Sequence, residues 1–150
     1  MSDPQANDEI RALSNLIDVL LPASADGLMP AAGSLGLAAP LREKLGDAWP
    51  ATVSGLDACE TVARAGGAGA FASLSQQEAT AVLEQVAADD PAFLGGLVFN
   101  LYAAYYQHPV VVEALGLEAR PPYPGGYPLE QGDLSQLERV RNGPRRYREC

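Results

Sequence analysis

Gly67, Gly69 and Ala72 stand at the spacing G-x-G-x-x-A, by which backbone amides at a helix start hold the pyrophosphate of a dinucleotide. That chemistry needs a strand before the glycines and a helix opening directly from them. Here a helical pattern precedes the glycines and the next helix signal comes only at Ser75, so the segment reads as an interhelical loop. His108 is the single histidine, and as a general base it would need an orienting carboxylate and a nucleophile that the sequence does not supply. Its place before Pro109 suits a helix C-cap, where imidazole meets free carbonyls. Asp89 and Asp90 are adjacent, but capping the helix that opens at Pro91 accounts for them. Cys59 and Cys150 lack the close spacing of a zinc or thiol–disulfide site, and Cys59 falls on an apolar helical face. No serine sits in G-x-S-x-G and no phosphate loop ends in Gly-Lys-Ser/Thr. No catalytic residue, bound cofactor or metal is therefore expected.

Two other residue types are unevenly placed. All six tyrosines follow residue 100: Tyr102, Tyr105, Tyr106, Tyr123, Tyr127 and Tyr147. Tyrosine joins a large apolar body to a polar tip and is enriched at protein interfaces. Residues 1–138 carry eighteen acidic and five basic side chains, a net −13. The last twelve residues set Arg139, Arg141, Arg145, Arg146 and Arg148 against Glu149 alone. So acidic a body repels a phosphate backbone, which excludes general nucleic-acid binding. Tyr105, Tyr106, Tyr123, Tyr127, Arg145, Arg146 and Arg148 are the candidate partner-binding residues. The same residues would serve if the arm and tail fold back on the acidic body.

The elements that must position these residues are helical. Ile10, Leu13, Ile17, Leu20 and Leu21 recur at helical spacing, and Pro22 ends that helix. Ala23–Pro30 reads as a turn-rich loop. Residues 31–45 read as one or two short helices interrupted near Pro40, with Leu35, Leu41 and Leu45 inward. Asp47 is placed to cap the next helix, which aligns Trp49, Val53, Leu56, Cys59 and Ala63 before Gly66 and Gly67 stop it. Ser75 with Glu78 forms a capping box ahead of Ala79, Val82, Leu83, Val86 and Ala87. Asp90-Pro91 opens a helix to about Gln107 that is apolar nearly all round, which marks either the centre of a domain or a helix covered by a partner.

After Gly116 the character changes. Ala119–Gly132 holds four prolines and three glycines with Tyr123 and Tyr127 between them, and reads as an extended arm. A short helix, Asp133–Arg141, follows. A chain of 150 residues, 47% hydrophobic and 19% charged, is long enough to bury a core without metal or disulfide. Its apolar runs fall short of the ~18 residues that span a bilayer. The expected fold is all-α: a single-domain bundle of about five to seven helices, residues 1–118, with an extended Pro/Gly/Tyr-rich arm, short helix and basic tail over residues 119–150.

One ordered set of short motifs runs along the chain, beginning with Leu20-Leu21-Pro22 at the end of the opening helix, then Pro30-Ala31-Ala32 and Gly55-Leu56-Asp57. Phe71 and Leu74 follow before the Ser75 cap, then the Phe93-to-Tyr106 helix with its Tyr105-Tyr106 pair and Pro109. Leu115-Gly116, Gly126-Tyr127 and a basic end complete it. In this order, over about residues 8–148, the pattern resembles the gluconate 2-dehydrogenase subunit 3 (small or gamma subunit) family.

The resemblance implies a non-catalytic accessory subunit that stabilises, matures or escorts a large flavoprotein of the glucose–methanol–choline oxidoreductase type. That partner would hold the FAD and oxidise a sugar or polyol, with a cytochrome c subunit as a further member of the complex. Many members carry a twin-arginine signal, whereas Met1–Asn7 has no arginine pair and no apolar stretch. A cytoplasmic location is therefore expected, the alternative being a periplasmic one reached with a partner that carries the signal. Two other readings are a free-standing helical enzyme or ligand binder with a pocket among Tyr102, Tyr105 and Tyr106, and an adaptor unrelated to redox chemistry.

Overall fold

In the computed structural model, which describes residues 4–67, 69–121, 123–126, 129–130 and 132–144, every apolar period of the sequence winds into a helix. The α-helices are α1 (Pro4–Leu20), α2 (Ala38–Leu45), α3 (Trp49–Ala65), α4 (Gln76–Asp89), α5 (Ala92–Tyr105), α6 (Pro109–Ala114) and α7 (Glu138–Arg141). Short 3-10 turns occupy Gly33–Leu35, Gly46–Ala48, Phe71–Ser73 and Ser135–Leu137, and no strand forms among the described residues. The fold class is all-α. Contacts divide the chain into two compact units, Met1–Ala119 and Arg120–Cys150.

The core belongs to the first unit. Leu13, Leu16 and Ile17 of α1 are fully buried, together with Leu41 of α2. Leu56, Cys59 and Ala63 of α3 join Ala79, Leu83 and Val86 of α4. Each set recurs at intervals of three and four, so one stripe of each helix faces inward while the rest meets water. Helix α1 packs on α2, α3 and α4, and α5 packs on α2, α3 and α4.

Local chemistry sets where the helices begin and end. Ser75 Oγ accepts from the Glu78 amide while the Glu78 carboxylate accepts from the Ser75 amide, so the expected capping box is complete. Asp90 Oδ1 accepts the Ala92 amide at 3.1 Å from just ahead of Pro91, which holds the cap position of α5 itself without a side-chain bond. Between α1 and the first 3-10 turn, Ser24 Oγ accepts the Met29 amide and Asp26 Oδ1 the Leu28 amide, closing the Ala23–Pro30 loop on itself.

Two expectations fail, each for its own reason. Pro40 does not interrupt its segment; it lies in the first turn of α2, where the missing amide has no helical partner to lose. Asp47 does not cap α3; it sits inside the Gly46–Ala48 turn, and Ala48 takes the cap position without a side-chain bond. Helices α2 and α3 follow so closely that a 3-10 turn links them, which leaves no extended residue to act as a cap.

Gly55 shows how closely the helices meet. A Cβ built there would overlap the ring of Phe93, so the absent side chain lets α5 lay Phe93 on the α3 backbone. Gly33 plays the same part for α1. Its amide donates to Asp18 Oδ1 at 2.6 Å, and a Cβ would collide with that carboxylate.

In the second unit, Asp133 Oδ1 accepts the Ser135 amide at 2.9 Å and starts the short 3-10 turn that runs into α7. The helix is therefore broken into two pieces rather than continuous from Asp133. Leu134, Leu137 and Val140, the apolar residues of this segment, are exposed, and none of the unit's described residues is buried.

Candidate partner interface

The glycine fingerprint has no nucleotide geometry. Helix α3 precedes it, and both Gly67 (φ +76°) and Gly69 (φ +90°) take the left-handed conformation that turns the chain between α3 and the Phe71–Ser73 turn. Glu60 holds this loop from α3: its Oε2 accepts the Phe71 amide at 2.9 Å and its Oε1 pairs with Arg64 at 2.7 Å. Helix α4 opens well beyond the glycines, so its amides face the Ser75 box instead of a phosphate.

The other candidate groups serve the fold as well. Cys59 is buried, and desolvation pushes its thiol up to about 11, which suppresses the thiolate. His108 is not a C-cap of α5. It stands at the N-terminal end of α6, its carbonyl accepts the Val111 and Val112 amides, and its buried Nδ1 has no hydrogen-bond partner. Among the described residues no group of three or more His, Cys, Asp or Glu is placed to hold a metal. A hollow of about 210 Å³ between α1 and α4 is lined by Asn15, Asp18, Phe71 and Gln76. Two of its polar groups are already engaged, Asp18 by the Gly33 amide and Gln76 by the Val19 carbonyl at 2.9 Å. This hollow presents structural contacts, not a poised catalytic group.

Helix α5 differs from the other described α-helices. It carries no charged side chain from Ala92 to Tyr105. Its inner face, Phe93, Leu97, Leu101 and Tyr105, is buried. Its outer face is not: Phe99 is 75% exposed, Tyr102 45% and Tyr106 46%. These three lie at intervals of three and four and so form one stripe, with Gly95 four residues before Phe99. The ring of Tyr106 stacks on Tyr102, centroids 6.0 Å apart and planes within 5°, and meets Tyr105 edge-on at 5.2 Å. Val110, Leu115 and Leu117 add exposed apolar surface in the segment that follows. Of the two roles open to an all-round apolar helix, α5 is not the domain centre; one side is packed and the other bare.

The tyrosines thus separate. Tyr105 is 2% exposed and its hydroxyl donates to the Pro30 carbonyl at 2.7 Å; burial holds its phenol above the ordinary value, with Tyr106 adding to the shift. It is a core residue and leaves the candidate contact set. The ring of Tyr106 packs on both Tyr102 and Tyr105, so the three rings lie against one another. Tyr106 remains on the surface, and Tyr123 of the second unit is 85% exposed. Tyr127, Arg145, Arg146 and Arg148 lie outside the described residues. Phe99 and Tyr102 were not singled out as contacts from the sequence, although helical spacing from Tyr106 places them on its face.

Among the described residues no helix is long and apolar enough to cross a membrane. A model of the gluconate 2-dehydrogenase subunit 3 family matches residues 7–125, a span that runs from within α1 past the end of α6. No curated protein and no solved structure matches the chain.

Proposed function

The chain belongs to the gluconate 2-dehydrogenase subunit 3 family, and on that basis we propose that it is a non-catalytic accessory subunit of an FAD-dependent sugar or polyol oxidoreductase. Its role is to stabilise, mature or escort a large flavoprotein of the glucose–methanol–choline type, which holds the FAD. A cytochrome c subunit is a further member of the proposed complex. The observation that carries this reading is the bare aromatic face of α5. Exposed Phe99, Tyr102 and Tyr106 on a helix without charges are what a subunit surface presents before its partner covers it. In the second unit Tyr123, Tyr127, Arg145, Arg146 and Arg148 are proposed partner contacts in their own right, since an arginine fork pairs with partner carboxylates in two parallel bonds.

Co-expression with the large flavoprotein subunit tests the proposal. The two chains should co-elute in fixed ratio, with flavin absorbance following the large subunit and the chain alone colourless. A stoichiometric flavin spectrum on the chain purified by itself would overturn the accessory reading, as would failure of the two chains to co-elute. Removing residues 139–150 should leave the helical circular dichroism of the first unit and lower the yield of the complex.

A further inference from the structure

Gly95 and Gly96 lie inside α5, yet no contact among the described residues asks for them. Neither has a positive φ, and a Cβ added at either would meet no atom within 4 Å. A glycine inside a helix is less favourable than alanine, because it gives up more backbone freedom on folding. Gly55 and Gly33 are matched by a close neighbour within the chain, whereas Gly95 faces open space at the head of the stripe formed by Phe99, Tyr102 and Tyr106. From Gly95 to Tyr106 the stripe runs roughly 16 Å at 1.5 Å per residue, about three turns of a facing helix. At its Gly95 end the bare backbone admits a close crossing; beyond it the aromatic ridge offers knobs for a groove.

The charge of the segment that carries the stripe selects the partner. Residues 76–118, which run from the start of α4 to the turn after α6, contain six acidic side chains (Glu78, Glu84, Asp89, Asp90, Glu113 and Glu118) and no lysine or arginine. An apolar stripe on so one-sided a segment repels a second acidic surface, including another copy of itself, and complements a basic one.

We infer that the Gly95–Phe99–Tyr102–Tyr106 stripe of α5 seats an apolar α-helix of the large flavoprotein subunit flanked by lysine or arginine. This inference rests on the accessory-subunit reading and specifies the surface and the partner element it uses. The binding constant of the purified chain for the purified large subunit is to be measured for wild type, Gly95→Ala, Gly95→Leu and Phe99→Asp, with a thermal melt of each chain alone.

Gly95→Ala should raise the melting temperature of the free chain by roughly 2–4 °C, as expected when a helix glycine in open space gains a methyl. Gly95→Leu and Phe99→Asp should retain the wild-type fold and weaken association at least tenfold, and wild-type association should weaken as salt rises. Wild-type co-elution with both variants binding as tightly overturns the inference and leaves the accessory reading standing. Association indifferent to salt overturns the basic flank. Absence of any wild-type complex overturns both readings. A dimer of the chain that either substitution dissolves assigns the face to a second copy instead.

Discussion

Helix α5 should behave as two helices in one when its faces are truncated separately. Leu97 is 1% exposed and Leu101 fully buried, and both belong to the main core cluster. Leu97→Ala removes buried carbon and leaves a hole that the surrounding helices close only in part, so the expected loss is about 2–5 kcal/mol. In a chain of this size each kcal/mol moves the midpoint by roughly 2–4 °C, which puts the fall in melting temperature at several degrees or more. Phe99→Ala removes a larger side chain, but one already three-quarters in water, and should change stability by no more than about 0.5 kcal/mol. Urea titrations followed by circular dichroism, with equal slopes for all variants, give both numbers. Leu97→Ala within error of wild type would mean that the inner face is not packed. A cost for Phe99→Ala equal to that of Leu97→Ala would mean that the outer face is covered within the chain itself, and the argument for a partner there would fall.

Gly55→Ala should destabilise the chain by about 1–3 kcal/mol although alanine favours a helix, because the methyl must displace the Phe93 ring; a neutral or stabilised variant in a denaturant melt would refute that packing. Ser75→Ala should cost about 1 kcal/mol by opening the capping box, measured the same way. The Glu78 carboxyl is held below its ordinary value, first by the Ser75 hydroxyl and then by its amide. Its folded pKa being the lower one, the contribution is present above the unfolded carboxylate pKa and is lost as pH falls through the folded value. Stability should thus decline with acidification near pH 4 less steeply in Ser75→Ala than in wild type, and parallel profiles would remove Glu78 from the account. Cys59, raised to about 11 by burial, should resist iodoacetamide at pH 8 until the chain unfolds; mass spectrometry of its peptide showing rapid labelling of the folded protein would contradict its burial.

Local signals carried most of the helical order. The apolar period of α1, the Ser75–Glu78 box and Asp90 before Pro91 act over three or four residues, so they are legible in the chain and reappear in the structure. The resemblance to the subunit family was also legible, since its residues run in order along the chain and the family match covers residues 7–125. What required tertiary structure was orientation. A helix that is apolar on every side points no face inward by its pattern, so nothing in α5 itself tells Tyr105 from Tyr106; the crossing with α2, α3 and α4 buries the first beneath the Pro30 carbonyl and leaves the second bare. The same holds for the glycines. Gly55 is explained by the ring of Phe93, thirty-eight residues away in sequence, and Gly95 by no neighbour among the described residues. That contrast exists only once the helices are packed, because whether a missing side chain is filled by the fold or left for a partner depends on contacts no local pattern encodes.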